Sequence, residues 1–259
     1  MHCRKKCRRG SLALKLDVSK AYDQVEWAFL KGIMTKLGFP EMWIERVMCC
    51  VSTPSFSIRI NGKSYGKIIP SRGLRQGDPL SPYLFLLYAE GFSSLLVKAE
   101  AEDKLHGVSI CRTRRAPSIS HLLFADDSLL FCRATQDEVQ EISDILQLYA
   151  TASGQQINLK KSSIFFSSNT DGGQRNWIKT RLNVKEVDRF ETYLGLPTLI
   201  GCSKYQAFTL LKDKVWKKLQ GWKEIMLSRA GKEVLIKAIA QSLPTYTMGV
   251  FQLPVKLCD

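Results

Sequence analysis

Two adjacent aspartates, Asp126 and Asp127, interrupt an apolar run that spans residues 122–131. The flanking residues are typical of two short buried strands, and the acidic pair falls where the chain must turn between them. Two like charges beside a hydrophobic sheet are unfavourable, because desolvation and mutual repulsion both oppose their ionisation. A divalent cation would remove both penalties. The segment is therefore a candidate metal site at the turn of a hairpin.

A third carboxylate, Asp17, follows an apolar strand that we predict over residues 12–16. If that strand lies beside the acidic hairpin, three carboxylates meet at one edge of a sheet. Carboxylate oxygens suit Mg²⁺ or Mn²⁺ rather than zinc, and such a set can hold the two ions of phosphoryl-transfer sites. The alternative is structural: Asp17 caps the following helix, and the acidic pair merely occupies a turn.

A loop rich in glycine and arginine, residues 71–78, precedes a predicted helix over residues 81–101. Arg75 and Gln76 place hydrogen-bond donors just before the helix N-terminus, whose free N–H groups and dipole attract anions. Gly77 allows close approach of the backbone to a ligand. The alternative is a capped loop in which two prolines set the entry of the chain into the helix.

The other elements must position these groups, and their pattern predicts a mixed α+β region followed by a helical one, with a boundary near residue 200. An Asn-Gly pair predicts a hairpin, and Gly154 ends a helix. Helices are predicted at residues 20–37 (N-cap Ser19), 41–51, 81–101, 136–152 and 204–237. Strands are predicted at residues 12–16, 55–60, 63–69 and 156–167, with a strand pair within 185–197.

The composition favours a polyanionic partner. The net charge is +14, and Lys or Arg that replace condensed counterions gain affinity for nucleic acid without reading its sequence. A merely soluble basic surface is the alternative. The eight cysteines form no CxxC pair, which argues against a zinc site and favours a reducing compartment. No apolar run approaches the roughly 20 residues that span a bilayer, and no secretory signal is recognisable.

Five segments in this order resemble the palm motifs of reverse transcriptases, most closely those of LINE-type non-LTR retrotransposons of plants. Residues 14–23 (LKLDVSKAYD) resemble motif A, residues 73–85 motif B and residues 124–127 (FADD) motif C. Residues 154–162 (GQQINLKKS) resemble motif D and residues 193–195 (YLG) motif E. Each motif alone is modest, but five in this order and spacing are highly specific, and the resemblance covers nearly the whole chain.

The resemblance implies roles for the acidic residues and for one aromatic residue. Asp17, Asp126 and Asp127 match the metal-binding carboxylates of the family. The main-chain carbonyl of Val18 matches a further metal ligand. Tyr22 matches the aromatic steric gate that abuts the sugar and disfavours a 2′-hydroxyl. Ordinary helix packing is the alternative interpretation of Tyr22.

The resemblance also implies nucleotide-binding and proton-donating residues. Gln76 and Gly77, preceded by Arg75, match the element that lines the nucleotide and template side of the pocket. Lys161 matches the motif D lysine that is proposed to protonate the pyrophosphate leaving group. Lys160 is adjacent, so this role could belong to either lysine. The structural alternative is a strand with a solvated basic face.

Primer binding is implied for the end of the palm and for the basic helices that follow. Tyr193, Leu194 and Gly195 match the primer grip, which holds the primer 3′ end; a strand ending in a turn glycine is the alternative. The basic helical segment after residue 204 is placed to follow the template–primer backbone. Its Trp216 and Trp222 either pack or stack on bases, and the amphipathic pattern favours packing.

The implied reaction is attack of a primer 3′-hydroxyl on the α-phosphate of a deoxynucleoside triphosphate, templated by RNA. It requires two Mg²⁺ or Mn²⁺ ions, an RNA template and a DNA primer, and no membrane. The implied organisation is a polymerase palm, an antiparallel sheet packed on helices, over residues 1–200 and a helical thumb-like region over residues 201–259. The life cycle of such elements implies a nuclear location.

One departure from the family bears on activity. Only 16 residues precede Asp17, whereas the family's fingers lie upstream and are longer, so we expect a palm truncated at its N-terminus. Two other interpretations stay open: a nucleic-acid-binding remnant without turnover, and a palm polymerase that makes RNA. Tyr22 argues against the last, because RNA synthesis calls for a polar group there that accepts the 2′-hydroxyl.

Overall fold

The computed structural model describes residues 10–109, 118–125, 127–188, 192–193, 196–198, 204–220 and 228–255. Three predicted site residues, Asp126, Leu194 and Gly195, lie outside the described residues. Contacts between Cα atoms divide the chain into two compact units, Met1–Asp188 and Arg189–Asp259. Within the described ranges, every helix is too short or too polar to cross a membrane.

The first unit combines ten strands with five helices in the part of the chain that is described. Its strands are β1 (Ser11–Ser19), β2 (Phe56–Ile60), β3 (Lys63–Ile68), β4 (Val108–Ser109), β5 (Ser118–Ile119), β6 (His121–Phe124), β7 (Asp127–Arg133), β8 (Gln156–Ile157), β9 (Ser163–Phe166) and β10 (Lys185–Glu186). Its helices are α1 (Trp27–Lys36), α2 (Glu41–Ser52), α3 (Ser81–Ala101), α4 (Gln136–Ser153) and α5 (Gly172–Leu182). The predicted α+β class is confirmed, as are the β2–β3 hairpin and the long helix α3.

The central sheet has the strand order β10-β9-β1-β7-β6, with β8 paired to the end of β1. The strand β1 is antiparallel to β7, β8 and β9. Because side chains alternate along a strand, Leu12, Leu14 and Leu16 share one face and are almost completely buried. They form one core with apolar residues of α1, α3 and α4. Lys15 and Asp17 therefore project from the opposite face.

The helix predicted over residues 20–37, with Ser19 as its N-cap, is wrong in its first two turns. The strand β1 instead continues to Ser19, because its last two residues pair with β8. A turn follows, in which the Asp23 N–H donates to the Lys20 carbonyl at 2.9 Å. Helix α1 begins only at Trp27. Tertiary pairing with a strand more than 130 residues away thus overrides a local helix signal.

The single strand predicted over residues 156–167 is interrupted. The strand β8 ends at Ile157, and β9 begins at Ser163. Between them the chain turns at residues 158–162, whose polar groups hydrogen-bond to the backbone of β1. This turn therefore lies against the same strand that carries Asp17.

Helix α4 ends as predicted at Gly154, which has a φ of 75°. This left-handed conformation favours glycine. A Cβ atom at Gly154 would also lie 2.6 Å from Cγ of Glu26 and 3.2 Å from the carbonyl oxygen of Gln24. The end of α4 thus packs closely on the segment that joins β1 to α1.

The second unit is mainly helical in the part that is described. Its elements are β11 (Thr192–Tyr193), β12 (Leu196–Pro197), α6 (Lys204–Gln220), α7 (Arg229–Leu235), a π-helical turn (Ile236–Ala240) and α8 (Ser242–Met248). The strand pair and the helical character predicted for this region are both observed. Helix α6 presents exposed cationic side chains at Lys212, Lys214, Lys217 and Lys218. The domain boundary at residue 200 stays a prediction.

Candidate active site

Two of the three predicted carboxylates are brought together by the sheet. Asp17 on β1 lies directly opposite Asp127 on β7 in an antiparallel pair. Directly opposed residues project from the same face, with Cβ atoms about 5 Å apart. The hairpin that delivers Asp127 is closed by the pairing of Phe124 with Asp127, and Ala125 has the positive φ, 49°, of a tight turn. The third carboxylate, Asp126, lies outside the described residues.

Lys15, which the sequence reasoning missed, lies on the same face of the sheet as the two carboxylates. The Nζ atom of Lys15 lies 3.2 Å from Oδ1 of Asp127, and the two side chains are 28% and 34% exposed. Lys15 stands two residues before Asp17, so both side chains project from the same face. That spacing of two was the signal in the sequence. The ammonium group offsets part of the repulsion between the opposed carboxylates.

The chemistry of this donor set fits a hard divalent cation. Asp17 and Asp127 supply carboxylate oxygens on one face, and both are only partly buried. Such oxygens suit Mg²⁺ or Mn²⁺, and opposed like charges call for a cation between them. Among the described residues, which do not include Asp126, three or more His, Cys, Asp and Glu side chains nowhere gather around a possible ion.

The backbone of Asp17 is held from the side opposite to β7. The pairing of β1 with β9 ends at Lys15, which is opposite Ser163, and the pairing of β1 with β8 begins at Val18. Asp17 therefore lies in the gap between β8 and β9. There the Asn158 N–H donates to the Asp17 carbonyl at 2.8 Å. The Asp17 N–H donates to Oγ of Ser162 at 3.1 Å. Both backbone groups of Asp17 are therefore satisfied by one turn.

Four of the residues implied by the family resemblance line a single cavity. It has a volume of about 540 Å³ and is lined by Val18, Lys20, Ala21, Tyr22, Gln76, Gly77, Asp78, Ser81 and Pro82. The implied residues among these are Val18, Tyr22, Gln76 and Gly77. Lys20 is exposed at the cavity with a φ of 49°. The sequence reasoning missed this cation, although it lies only three residues after Asp17.

Arg75 lies elsewhere. It lines a neighbouring cavity of about 460 Å³, and its guanidinium carbon lies 5.9 Å from the centre of the Phe56 ring. This distance is within the range of a cation–π contact. Gln76 lines both cavities, whereas Arg75 lines only this one and Gly77 only the other.

Tyr22 is held at its cavity by two contacts of its own and one of the preceding residue. Its ring stacks on Phe85 with centroids 4.9 Å apart and planes at 9°. The Leu74 N–H donates to the Tyr22 carbonyl at 2.8 Å, and Nε2 of Gln155 donates to the preceding Ala21 carbonyl at 2.8 Å. The packing interpretation and the gate interpretation are therefore compatible, because Tyr22 packs against Phe85 and also lines the cavity.

The loop before α3 is tied to the segment after β1. The Gly73 N–H donates to the Val25 carbonyl at 2.8 Å. Gly73 has a φ of 91°, and a Cβ atom there would lie 3.0 Å from the Asp23 carbonyl oxygen. Since α3 begins at Ser81, which also lines the cavity, the positive end of its dipole lies at this cavity.

Lys160 and Lys161 are both exposed in the turn that holds Asp17. The Lys161 N–H donates to the carbonyl of Asn158 at 3.1 Å. Neither geometry nor burial distinguishes the two lysines as proton donors, so both assignments stay predictions.

The implied primer-binding residues belong to the second unit. Tyr193 lies in β11 and pairs with Leu196 of β12. The side chain of Trp216 on α6 is 53% exposed, so the packing expected for this residue is at most partial. Trp222 lies outside the described residues. The primer-binding roles of this region stay predictions.

Comparisons with known proteins agree with the geometry of the first unit. The family model described as reverse transcriptase (RNA-dependent DNA polymerase) matches residues 1–198. A Pol polyprotein from a type-1 R2 retrotransposable element of Popillia japonica is 28% identical over 229 residues, covering 83% of this chain and 30% of that protein. An uncharacterized 149 kDa protein of transposon TX1 from Xenopus laevis is 26% identical over 252 residues, which cover 93% of this chain and 18% of that protein.

A shorter and stronger similarity involves an uncharacterized mitochondrial protein of Arabidopsis thaliana. It is 52% identical over 69 residues, which cover 27% of this chain and 55% of that protein. The chain thus spans less than two thirds of the length of each of these three relatives.

Proposed function

The chain belongs to the reverse transcriptase family, of the type found in non-LTR retrotransposon proteins, and we propose that it copies RNA into DNA. The observation that carries this proposal is the pairing of Asp17 with Asp127. Tyr22, Gln76 and Gly77 gather at a cavity in the same unit. A plant origin of the element, which the motifs imply, stays a prediction.

Proteins of this family use divalent metal ions, and we propose two Mg²⁺ or Mn²⁺ ions here. Asp17, Asp126 and Asp127 would hold them, together with the main-chain carbonyl of Val18. When bound, such ions lower the pKa of an attacking hydroxyl and stabilise negative charge on the leaving group.

The protein's own contribution is mostly positioning and charge. The sheet fixes Asp17 and Asp127 on one face, and Lys15 holds one Asp127 oxygen in place. Tyr22 closes the cavity beside the sugar, so that a 2′-hydroxyl would collide with its ring. Gln76 and Gly77 line the same cavity, where Lys20 would attract a triphosphate. Asp78 also lines this cavity, and its carboxylate accepts the Leu80 N–H at 2.8 Å just before α3.

The substrate set follows from the same proposal. The chain would bind an RNA template, a DNA primer and a deoxynucleoside triphosphate. Lys161, or Lys160 beside it, would protonate the pyrophosphate. Arg75 would contact the nucleotide or template from the neighbouring cavity. Tyr193, Leu194 and Gly195 would hold the primer 3′ end.

Nucleic acid would also contact the thumb-like region, residues 201–259. Exposed lysines on α6 would follow the phosphate backbone, and the exposed Trp216 could stack on a base. We also propose a nuclear location, because a retrotransposon polymerase must reach chromosomal DNA.

A second candidate is nucleic-acid binding without catalysis, which the net charge of +14 favours by itself. Charge alone gives salt-dependent binding and no turnover. The two candidates differ in their dependence on the carboxylates, because Asp126→Asn removes catalysis but leaves the cationic surface unchanged.

The test is Mg²⁺-dependent extension of a labelled DNA primer annealed to an RNA template. The proposal predicts extension by the wild-type chain that is lost on chelation of Mg²⁺ and in Asp126→Asn, while both proteins bind the hybrid equally. Binding that weakens with salt, with no extension under any metal condition, would instead support the second candidate.

A further inference from the structure

The turn at residues 158–162 interrupts the strand that the sequence predicts and lies against Asp17. Such an interruption gives up ladder hydrogen bonds, so the turn must satisfy the backbone of β1 in another way. It does so at the residue that carries the carboxylate: Asn158 and Ser162 bind the carbonyl and the N–H of Asp17.

Ser162 is the centre of this arrangement. Its Oγ atom accepts the Asp17 N–H at 3.1 Å and donates its own proton to the Asn158 carbonyl at 2.9 Å. Its side chain is almost completely buried, with an exposed fraction of 1%. A buried hydroxyl with both functions used is rigidly oriented, so the position of the Asp17 Cα atom is defined by the turn.

We propose that Ser162 is a positioning residue for the metal-binding carboxylate of Asp17. The hydroxyl fixes the backbone of Asp17 in the gap between β8 and β9, and this fixes the point on the shared face from which the carboxylate projects opposite Asp127. Partners that hydrogen-bond a metal-ligating group typically change metal affinity 10- to 100-fold when removed, and we expect an effect at the lower end of that range because Ser162 binds the backbone of Asp17. This inference rests on the proposed function, because it takes Asp17 to be a metal ligand.

The chain contains a matched control for this role. Ser167 follows the other end of β9, is also buried at 2% exposure, and its Oγ accepts the Ser11 N–H of β1 at 2.8 Å. The same type of bond thus joins β1 to the two ends of β9. Ser11 is six residues from Asp17, or about 20 Å along an extended strand.

The experiment is titration of the full chain with Mn²⁺, followed by the electron paramagnetic resonance signal of the free ion. Ser162→Ala is expected to weaken Mn²⁺ binding by about tenfold, whereas Ser167→Ala leaves the dissociation constant unchanged. Each variant loses a buried hydroxyl that accepts an N–H of β1: Ser162→Ala also loses the bond to the Asn158 carbonyl, and Ser167→Ala also loses the bonds to Asn169 and Thr170. Thermal midpoints are measured for both, and a Ser167→Ala midpoint lowered at least as much as that of Ser162→Ala shows that the difference in affinity is not a general loss of stability. If Ser162→Ala does not fold, Ser162→Cys replaces it in the titration. Cysteine has a similar volume but is a weak hydrogen-bond acceptor, so we expect the same weakening of Mn²⁺ binding by about tenfold.

Equal Mn²⁺ affinities of Ser162→Ala and the wild type would overturn the positioning role, as would equal weakening in both serine variants. Asp17→Asn separates these results from a failure of the proposed function. If Asp17→Asn weakens Mn²⁺ binding and Ser162→Ala does not, only the role of Ser162 is wrong. If Asp17→Asn leaves Mn²⁺ binding unchanged, Asp17 is not a metal ligand, and both proposals fail at this residue.

Discussion

The Lys15 ammonium lies 3.2 Å from Oδ1 of Asp127, on the face of the sheet where Asp127 opposes Asp17. The lysine is therefore a cation beside one of the carboxylates that we propose as metal ligands. It supports the carboxylate in the metal-free protein and opposes the approach of a second positive charge. Since the pair is partly exposed, this effect is screened and modest.

We accordingly expect Lys15→Met to strengthen Mn²⁺ binding by about threefold, because the competing charge is lost while most of the apolar stem remains. Titration with Mn²⁺ measures this directly. Lys98→Met serves as the control, because Lys98 lies on α3 and its ammonium group pairs with Glu102, just after that helix, at 3.8 Å. Weaker Mn²⁺ binding in Lys15→Met would show that the lysine mainly orients Asp127 instead of competing with the ion.

Sugar discrimination is expected to depend on the ring of Tyr22 and not on its hydroxyl. The ring is stacked on Phe85 at 4.9 Å, so Tyr22→Phe keeps a rigid wall and full discrimination. Tyr22→Ala removes the wall, and ribonucleotide incorporation relative to deoxynucleotide incorporation rises by about tenfold or more. Ratios of kcat/KM for the matching nucleotides measure the effect. Unchanged rejection of ribonucleotides by Tyr22→Ala would remove Tyr22 from this role.

Gly154→Ala is expected to lower the free energy of unfolding by about 1–2 kcal/mol, since a side chain is strained in the left-handed conformation. The added Cβ would also press on the Glu26 side chain and the Gln24 carbonyl. Gly172→Ala is the matched control, because a Cβ atom there has open space. Urea unfolding compares the two variants, and equal midpoints would contradict the close packing of α4 on this segment.

Tyr88→Phe tests a hydroxyl of the buried core, which donates to the Ser153 carbonyl at the end of α4. Loss of the donor leaves that carbonyl unsatisfied and is expected to cost about 1–2 kcal/mol of unfolding free energy. Tyr65→Phe, on an exposed ring, is expected to change it by less than about 0.5 kcal/mol. Urea unfolding at neutral pH distinguishes the two.

The same variant has a pH signature. Burial raises the pKa of Tyr88 above the ordinary value of 10.0, so the folded protein keeps this proton where the unfolded chain releases it. Its contribution to stability is present below pH 10 and is lost as pH rises further. The difference in unfolding free energy between the wild type and Tyr88→Phe should therefore shrink above pH 10. A difference that grows with pH would contradict the raised pKa.

The parts of the site that depend on local pattern were predictable. Asp17 and Asp127 each adjoin an apolar run, which predicts that each lies at the end of a strand; the pairing of the two strands was only a condition of that prediction. Helix α3 follows from its length and apolar content, and the end of α4 follows from Gly154. These features depend on residues close together in the chain.

The features that depend on distant pairing were not predictable. The start of α1 was placed seven residues too early because nothing near Ser19 shows that β8 will pair with it. The turn at residues 158–162 replaces a strand because it binds Asp17, a contact across about 140 residues of chain. The salt bridge of Lys15 and the position of Arg75 at a different cavity from Gly77 likewise require the folded sheet and loop.

The central claim is tested most directly by Asp17→Asn in the Mg²⁺-dependent primer-extension assay on an RNA template. Asp144→Asn, at an exposed position of α4, is the isosteric control. The account predicts that Asp17→Asn loses at least about a hundredfold in extension rate, while Asp144→Asn extends the primer like the wild type and all three proteins bind the hybrid equally. Full extension by Asp17→Asn would contradict the assignment of the paired strands β1 and β7 as the catalytic centre.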